Sequence, residues 1–272
     1  MNAYYLSAPQ WQGSGKTNEL YYGALALKNY ISSIKDIVIN EISVNEQDDL
    51  KLENNILGFS VLRGQLEALA AKLKKESPYK LAVIGGGCGI EVSIISYLAR
   101  LHGNFNLYWF DAHGDMNSPL SSLSKHFHGM PLRFLTQRQY HEIDKLCELI
   151  STDNMALIGT RDLDLPEINY IAEHNIKTVS PERLSYFNAD YLNSDNIKKA
   201  YIHIDLDVID PSQYRNVKCP SGKGISINEL ENMVRLIAEN KEVIGMGIFE
   251  NTETDPENLK KLDKLIQYML SI

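Results

Sequence analysis

The chain has 272 residues, of which 44% are hydrophobic and 23% are charged, values typical of an ordinary globular protein with a full core. The net charge of −8 argues against nucleic acid or an anionic membrane as a partner, because it leaves no basic patch to neutralise phosphates. No stretch is apolar for the length of a membrane span, and the N-terminus lacks the features of a signal peptide. The three cysteines are widely spaced, which fits a reducing compartment and predicts a cytoplasmic protein.

Short apolar runs alternate with amphipathic stretches along most of the chain. Helical spacing predicts helices at 62–75 and 227–240. Strands that alternate with helices indicate an α/β fold, with a mainly parallel sheet of about eight strands covered on both faces. Periodicity leaves a closed barrel and an open doubly wound sheet as alternatives. In chain order, the predicted strands are 3–8, 36–42, 81–85, 107–111, 155–159, 176–180, 200–205 and 243–249.

Chemically active side chains follow four of these strands. Both candidate architectures place active-site residues at the carboxyl ends of their strands, so these positions are the ones to examine. The residues are Cys88 after 81–85, then Asp111, His113 and Asp115 at the end of 107–111, Asp205 and Asp207 at the end of 200–205, and Glu250 after 243–249.

The spacing of the acidic residues predicts a metal site. In an extended chain alternate side chains share a side, so Asp111, His113 and Asp115 are expected to point together, as are Asp205 and Asp207. Converging carboxylates repel one another unless a cation neutralises them. A single D-x-D is most often a turn or a helix cap, but two such clusters at strand ends are more specific. Three or four of these groups would suit one divalent ion, and the whole set would suit two ions. Because most of the ligand atoms are oxygens, the set favours Mn²⁺.

Three segments resemble motifs of the ureohydrolases, the family of arginase, agmatinase and formiminoglutamase. They are the Gly-Gly-Gly-Cys segment at 85–88, DAHGDMN at 111–117 and DLDVIDPS at 205–212. The resemblance runs from about residue 80 to about residue 250. It implies one arginase-like domain over residues 1–272, built on an open doubly wound sheet. It also implies two Mn²⁺ ions bridged by a hydroxide that attacks a guanidinium carbon.

The same resemblance implies a role for each metal-binding residue. Asp111 and Asp205 are expected to bridge the two ions. Asp115 is expected to bind one ion and to belong to the catalytic residues, and His113 with Asp207 is expected to bind the other. The alternating residues at the strand tip thus form half of a two-metal site.

Further positions resemble residues that handle the substrate in arginase. His128 resembles the proton-shuttle histidine. Arg161 and Asp162, by contrast, are expected only to form a buried ion pair. These matches favour arginine or N-hydroxyarginine as the substrate, with urea or hydroxyurea released; activity of the agmatinase or formiminoglutamase type is the alternative. The substrate residues are Asn117 and Ser124 at the α-carboxylate, Asp164 near the α-amino group and Glu250, also catalytic, at the guanidinium.

Cys88 departs from the family, which usually has a histidine metal ligand at this position. A thiolate can still bind metal, but it is softer than imidazole and shifts the preference towards Zn²⁺ or Fe²⁺. The alternative is a small buried residue with one metal site lost. Cys219, Lys125 and His126 also depart from the family pattern near the expected substrate entrance.

Several other functions compete with a two-metal enzyme. Cys88 could be the nucleophile of a cysteine-dependent amidinohydrolase, or the chain could be a metal-depleted binding protein. The segment QGSGKT at 12–17 lacks the glycine that a phosphate-binding loop needs at position 10, where Gln10 stands. A serine hydrolase would need G-x-S-x-G, which does not occur. The expected partner is a small guanidino substrate, and homo-oligomerisation is left open.

Overall fold

The computed structural model describes residues 3–272. Within them, ten strands alternate with nine α-helices. The strands are β1 (Tyr4–Ala8), β2 (Ile39–Glu41), β3 (Leu52–Glu53), β4 (Ile56–Leu57), β5 (Leu81–Gly85), β6 (Asn106–Phe110), β7 (Met155–Ile158), β8 (Lys177–Val179), β9 (Lys199–Asp205) and β10 (Glu242–Phe249). The helices are α1 (Glu19–Ile34), α2 (Phe59–Glu76), α3 (Glu91–His102), α4 (Pro131–Thr136), α5 (Leu165–Glu173), α6 (Ala189–Leu192), α7 (Ile227–Asn240), α8 (Pro256–Leu259) and α9 (Asp263–Leu270).

Eight strands form one open parallel sheet in the order β2-β1-β5-β10-β9-β6-β7-β8. All eight predicted strands are present in this sheet, and its two edges, β2 and β8, do not pair with each other. The sheet is therefore open, and the closed barrel is excluded. The short antiparallel pair β3–β4 was not predicted, because two-residue strands are too short to show a period.

Helices cover both faces of the sheet, and the sheet side chains alternate between them. On β6, Leu107 and Trp109 pack with helices α2, α3 and α4, whereas Tyr108 and Phe110 pack with α1, α7 and α9. This alternation follows from the two-residue period of a strand. Because both faces of the sheet pack against apolar helix surfaces, the strands are nearly continuous hydrophobic runs. Within residues 3–272, no helix is long and apolar enough to cross a membrane.

The four central strands, β5, β10, β9 and β6, are the four whose ends carry the candidate site residues. Because the strands are parallel and adjacent, their carboxyl ends meet at one edge of the sheet. The exit from β5 is packed tightly there: a Cβ on Gly86 would lie 2.1 Å from the backbone oxygen of Gln10. Glycine at this position therefore lets the chain after β1 approach the chain after β5.

Candidate active site

A cavity of about 260 Å³ opens at the carboxyl ends of the central strands. Its lining is strongly acidic, and Lys218 is the single lysine among the lining residues that the structure describes. Such a cavity suits cationic ligands, both metal ions and a positively charged substrate. Asp111 and Cys88 do not line the cavity but are buried beneath it. The seven lining carboxylates belong to Asp115, Asp162, Asp164, Glu167, Asp205, Asp207 and Glu250.

The predicted metal ligands converge beneath and along this cavity. The Nδ1 atom of His113 lies 2.8 Å from Oδ2 of Asp207 and 3.5 Å from Oδ1 of Asp111. The ligand atoms of these three residues all lie within 4.8 Å of one another. A second group, made by Cys88, Asp205 and Glu250, meets the same limit. The structure therefore contains candidate ligand groups for a metal centre.

Turns, rather than an extended chain, bring these side chains together. The amide of His113 donates to Oδ1 of Asp111 at 2.6 Å, and Asp115 has a left-handed backbone with φ of 51°. After β9 the chain forms a 3₁₀ turn, in which the amide of Asp207 donates to Oδ1 of Asp205 at 2.8 Å. The prediction that alternation in an extended chain aligns these groups was wrong. In both segments the first aspartate caps the turn that positions the next ligand.

Burial makes the carboxylate cluster costly without a cation. Burial, with the neighbouring Asp207 carboxylate, raises the pKa of Asp111 to about 6. Burial and nearby carboxylates also raise the pKa of Asp115 and of Asp205 well above the ordinary range. Oδ2 of Asp115 and Oε2 of Glu250 are buried and have no hydrogen-bond partner among residues 3–272. Two orphaned anionic oxygens in such a cluster fit a bound divalent cation.

Cys88 belongs to this cluster. Its Sγ atom lies 3.3 Å from Oδ2 of Asp205 and 3.5 Å from Nε2 of His203, and the residue is 1% exposed. His203 was missed in the sequence analysis, although it stands two residues before Asp205 and so shares its face of β9. The signal was present in the strand period, but the search began at the strand end rather than inside it.

Glu250 joins the metal cluster to the cavity. Its Oε1 atom accepts from the amide of Cys88 at 3.0 Å and from Oγ of Ser14 at 3.4 Å, and Nδ1 of His128 lies 3.3 Å away. Glu250 has φ of 61°, a conformation that non-glycine residues rarely adopt. Such strain persists where surrounding contacts enforce it and is typical of functional sites. These contacts leave the second oxygen of Glu250 free to bind a ligand.

The predicted substrate residues lie along one wall of the cavity. Nδ2 of Asn117 donates to Oδ2 of Asp164 at 3.0 Å, and Oγ of Ser124 accepts from the amide of His126 at 3.3 Å. At the start of helix α5, Oε2 of Glu167 accepts from the amide of Asp164 at 3.0 Å, a contact that the sequence analysis missed. The pattern D-x-x-E before a helix was the signal that could have found it.

Arg161 does not form the predicted ion pair with Asp162. Its guanidinium donates instead to five backbone carbonyl oxygens, including those of Asp207 at 2.8 Å and Ser221 at 2.8 Å. The side chain of Asp162 is 64% exposed and points to His113, 3.9 Å away. The prediction failed because carbonyl oxygens from the connections after β7 and after β9 converge on Arg161, and its planar donors satisfy them together. Arg161 therefore ties the chain after β9 to the chain after β7.

Comparison with known proteins agrees with this geometry. The model of the arginase family matches residues 21–260. The chain belongs to the arginase family. It is 28% identical to an arginase of Staphylococcus aureus strain MRSA252 over 77% of this chain and 77% of that protein. It is 31% identical to an arginase of Bacillus subtilis strain 168 over 73% of this chain and 69% of that protein.

The fold matches as well. The structure of the arginase from Bacillus caldovelox superposes with a TM-score of 0.85, covers 100% of this chain and 99% of the other, and is 19% identical. At that identity the superposition establishes the fold and leaves the substrate to be argued from the cavity. This member of the arginase family is accordingly a hydrolase, with cysteine at position 88.

With metal ions removed by a chelator, this arginase-family protein should become more stable as the pH falls from about 8 to about 6. Burial raises the pKa of Glu167 from 4.5 to about 7, so its contribution is fully present below pH 4.5 and is lost as the pH rises through 7. Thermal unfolding of the chelated protein across this range measures the trend. Glu167→Gln should make the profile less steep, with the remaining slope due to Asp115 and Asp205, and Glu173→Gln, on the exposed side of the same helix, should not change it. A melting temperature that falls as the pH falls through this range would contradict the assignment.

Proposed function

We propose that this protein is a two-metal hydrolase that cleaves the guanidino group of an arginine-like amino acid, either arginine or N-hydroxyarginine. The observation that carries the proposal is the pairing of two features. Asp115 and Glu250 belong to the buried carboxylate cluster and each has an orphaned oxygen, and both residues also line an acidic cavity. The cluster calls for cations, and the cavity above it suits a cationic side chain such as guanidinium.

The proposed metal ligands are divided between two positions. Asp111 and Asp205 are shared, His113 and Asp207 complete one position, and Asp115 belongs to the other, together with Cys88. Asp111, His113 and Asp207 form one compact ligand group and Cys88 forms another with Asp205 and Glu250, which supports part of this division. When bound, the two divalent ions supply the Lewis acidity that activates water for attack on the guanidino carbon. The oxygen-rich donor set favours Mn²⁺, with Zn²⁺ or Fe²⁺ as alternatives because of Cys88.

The remaining residues bind the substrate and move protons. The free oxygen of Glu250 accepts from the guanidinium, and Asp164 binds the α-amino group. Asn117 and Ser124 donate to the α-carboxylate. In hydrolysis one guanidino C–N bond breaks and water supplies the new C–O bond. His128, half-buried on the cavity wall and hydrogen-bonded to Glu250, delivers the proton to the leaving amine. Urea or hydroxyurea and a diamino acid are the products.

A cysteine-dependent mechanism is the weaker alternative. The thiol of Cys88 is buried beneath the cavity and does not line it, so a substrate in the cavity does not reach Sγ. Without a metal ion, burial and the carboxylate of Asp205 also raise the pKa of the Cys88 thiol, which opposes a metal-free thiolate nucleophile; a bound cation would offset this effect and stabilise a thiolate ligand. Agmatinase and formiminoglutamase activities are the alternatives within the family; agmatine lacks the α-carboxylate and so would leave Asn117 and Ser124 without that role. A metal-depleted binding protein leaves the orphaned oxygens unexplained.

Asp111→Asn should abolish turnover and lower the metal content, because a carboxylate shared by two ions stabilises both positions. Elemental analysis and a urea-release assay on the purified protein measure these effects. The matched control is Asp153→Asn, an exposed aspartate in the turn before β7, which should retain both ions and full turnover. Unchanged metal content and turnover in the Asp111→Asn protein would refute the two-metal assignment.

Asn117→Ala and Ser124→Ala should each raise KM for arginine about 10- to 100-fold, since a hydrogen bond to a charged group is worth about 1.5–3 kcal/mol. Agmatine lacks the α-carboxylate and serves as the internal control, because its KM should change much less. Steady-state kinetics with both substrates separates the two outcomes. If agmatine is the better substrate and neither change raises the KM for arginine, the α-carboxylate assignment fails while the metal assignment stands.

A further inference from the structure

We propose that His203 is a metal ligand and that, with Cys88, it makes one of the two metal positions a nitrogen–sulfur site, chemically distinct from the oxygen-rich position at His113. This inference rests on the proposed two-metal function and adds a residue to it. Cys88 stands where the resemblance to the family predicts a histidine. The missing imidazole is supplied by His203, from the neighbouring part of the sheet.

The position of His203 carries the inference. It lies inside strand β9, two residues before Asp205, so both side chains leave the same face of the sheet. Nε2 of His203 is 3.5 Å from Sγ of Cys88. The ligand atoms of Cys88, Asp111 and His203 lie within 4.8 Å of one another, the same limit that the group around His113 meets. The two imidazoles thus belong to two different ligand groups that share Asp111.

A buried carboxylate orients the imidazole. Nδ1 of His203 lies 2.9 Å from Oε1 of Glu91, the first residue of helix α3. The hydroxyl of Tyr201 donates to both oxygens of Glu91, at 2.8 and 3.0 Å, and holds it in place. In the tautomer that carries its proton on Nδ1, this N–H donates to Glu91 and the lone pair is on Nε2, which faces Cys88. In a histidine that binds metal, the ring nitrogen that does not face the ion is usually hydrogen-bonded to a carboxylate, a backbone carbonyl or water.

Aromatic packing fixes the ring in this direction. The imidazole is stacked against Trp109, with ring centroids 3.4 Å apart and planes 8° apart, and against Phe249, with centroids 4.6 Å apart and planes 21° apart. Nε1 of Trp109 also donates to Oδ2 of Asp111 at 3.0 Å. One tryptophan therefore positions two ligands of the same group. A fully buried histidine that served only to fill the core would need neither a dedicated carboxylate nor a nitrogen aimed at a cysteine.

The donor types predict a different metal preference at the two positions. Thiolate and imidazole favour Zn²⁺, Fe²⁺ or Co²⁺ over Mn²⁺, whereas carboxylates with one imidazole suit Mn²⁺. The protein is therefore expected to take up one softer ion at Cys88 and His203 and to accept Mn²⁺ at His113. A mixed-metal centre follows from the pairing of these two residues.

The first test measures metal binding by the full-length protein in competition with a chelator. Wild type should bind two Zn²⁺ ions. His203→Phe keeps an aromatic ring between Trp109 and Phe249 but has no ligand nitrogen, and it should bind one of the two ions at least about 100-fold more weakly. Glu91→Gln should weaken the same ion about 10-fold. The control, His102→Phe, removes a histidine that contacts the backbone oxygen of Tyr79 and should leave both affinities unchanged.

The second test needs no variant and so does not depend on the folding of His203→Phe. X-ray absorption at the zinc edge of the wild-type dizinc protein should show one sulfur and two imidazole ligands shared between the two ions. A spectrum with only one imidazole ligand would overturn the role of His203, as would a His203→Phe protein that keeps both Zn²⁺ affinities unchanged. A spectrum without a sulfur ligand would overturn the role of Cys88. Wild-type protein that binds no metal would instead refute the proposed function itself.

Discussion

The structure depends on the burial of several carboxylates at one edge of a parallel sheet. Asp111, Asp205 and Asp207 end or follow adjacent central strands, and their side chains are almost fully enclosed. Anionic groups in such surroundings are strongly destabilising unless a cation compensates them. The orphaned oxygens of Asp115 and Glu250 mark where a compensating cation would bind. The turns after Asp111 and Asp205, the positive φ angles of Asp115 and Glu250 and the tight glycine exit lie around this cluster.

Two sets of contacts, one on each side, hold the carboxylate cluster in position. On one side, Arg161 ties together the carbonyl oxygens of the loops after β7 and β9, so that Asp207 is placed by its backbone as well as by its side chain. On the other side, the glycine at position 86 lets the chain after β1 pack against the chain after β5, and Ser14 reaches Glu250. The segment that contains Ser14 superficially resembled a phosphate loop; its position shows that it supports the acidic site instead.

Much of the fold and part of the site could be predicted from the sequence. The eight strands could be predicted because a sheet buried on both faces produces continuous apolar runs. The convergence of side chains at the strand ends could be predicted because parallel strands gather their carboxyl ends. His203 was missed because it lies within a run that looks like core, and only its distance to Cys88 marks it as different. The turns at Asp115 and Asp207 were missed because backbone direction after a strand depends on tertiary contacts. The contacts of Arg161 depend on the connections after β7 and after β9, which only the folded chain brings together.

The metal centre is the central claim, and anomalous diffraction from crystals of the full-length protein grown with Mn²⁺ and Zn²⁺ tests it most directly. Data collected at the absorption edge of each metal locate every ion and identify its element. The account predicts two ions at the carboxyl ends of β5, β9 and β6, with zinc beside Cys88 and His203 and manganese beside His113. Crystals with no anomalous peak within bonding distance of Asp111 and Asp205 would contradict it.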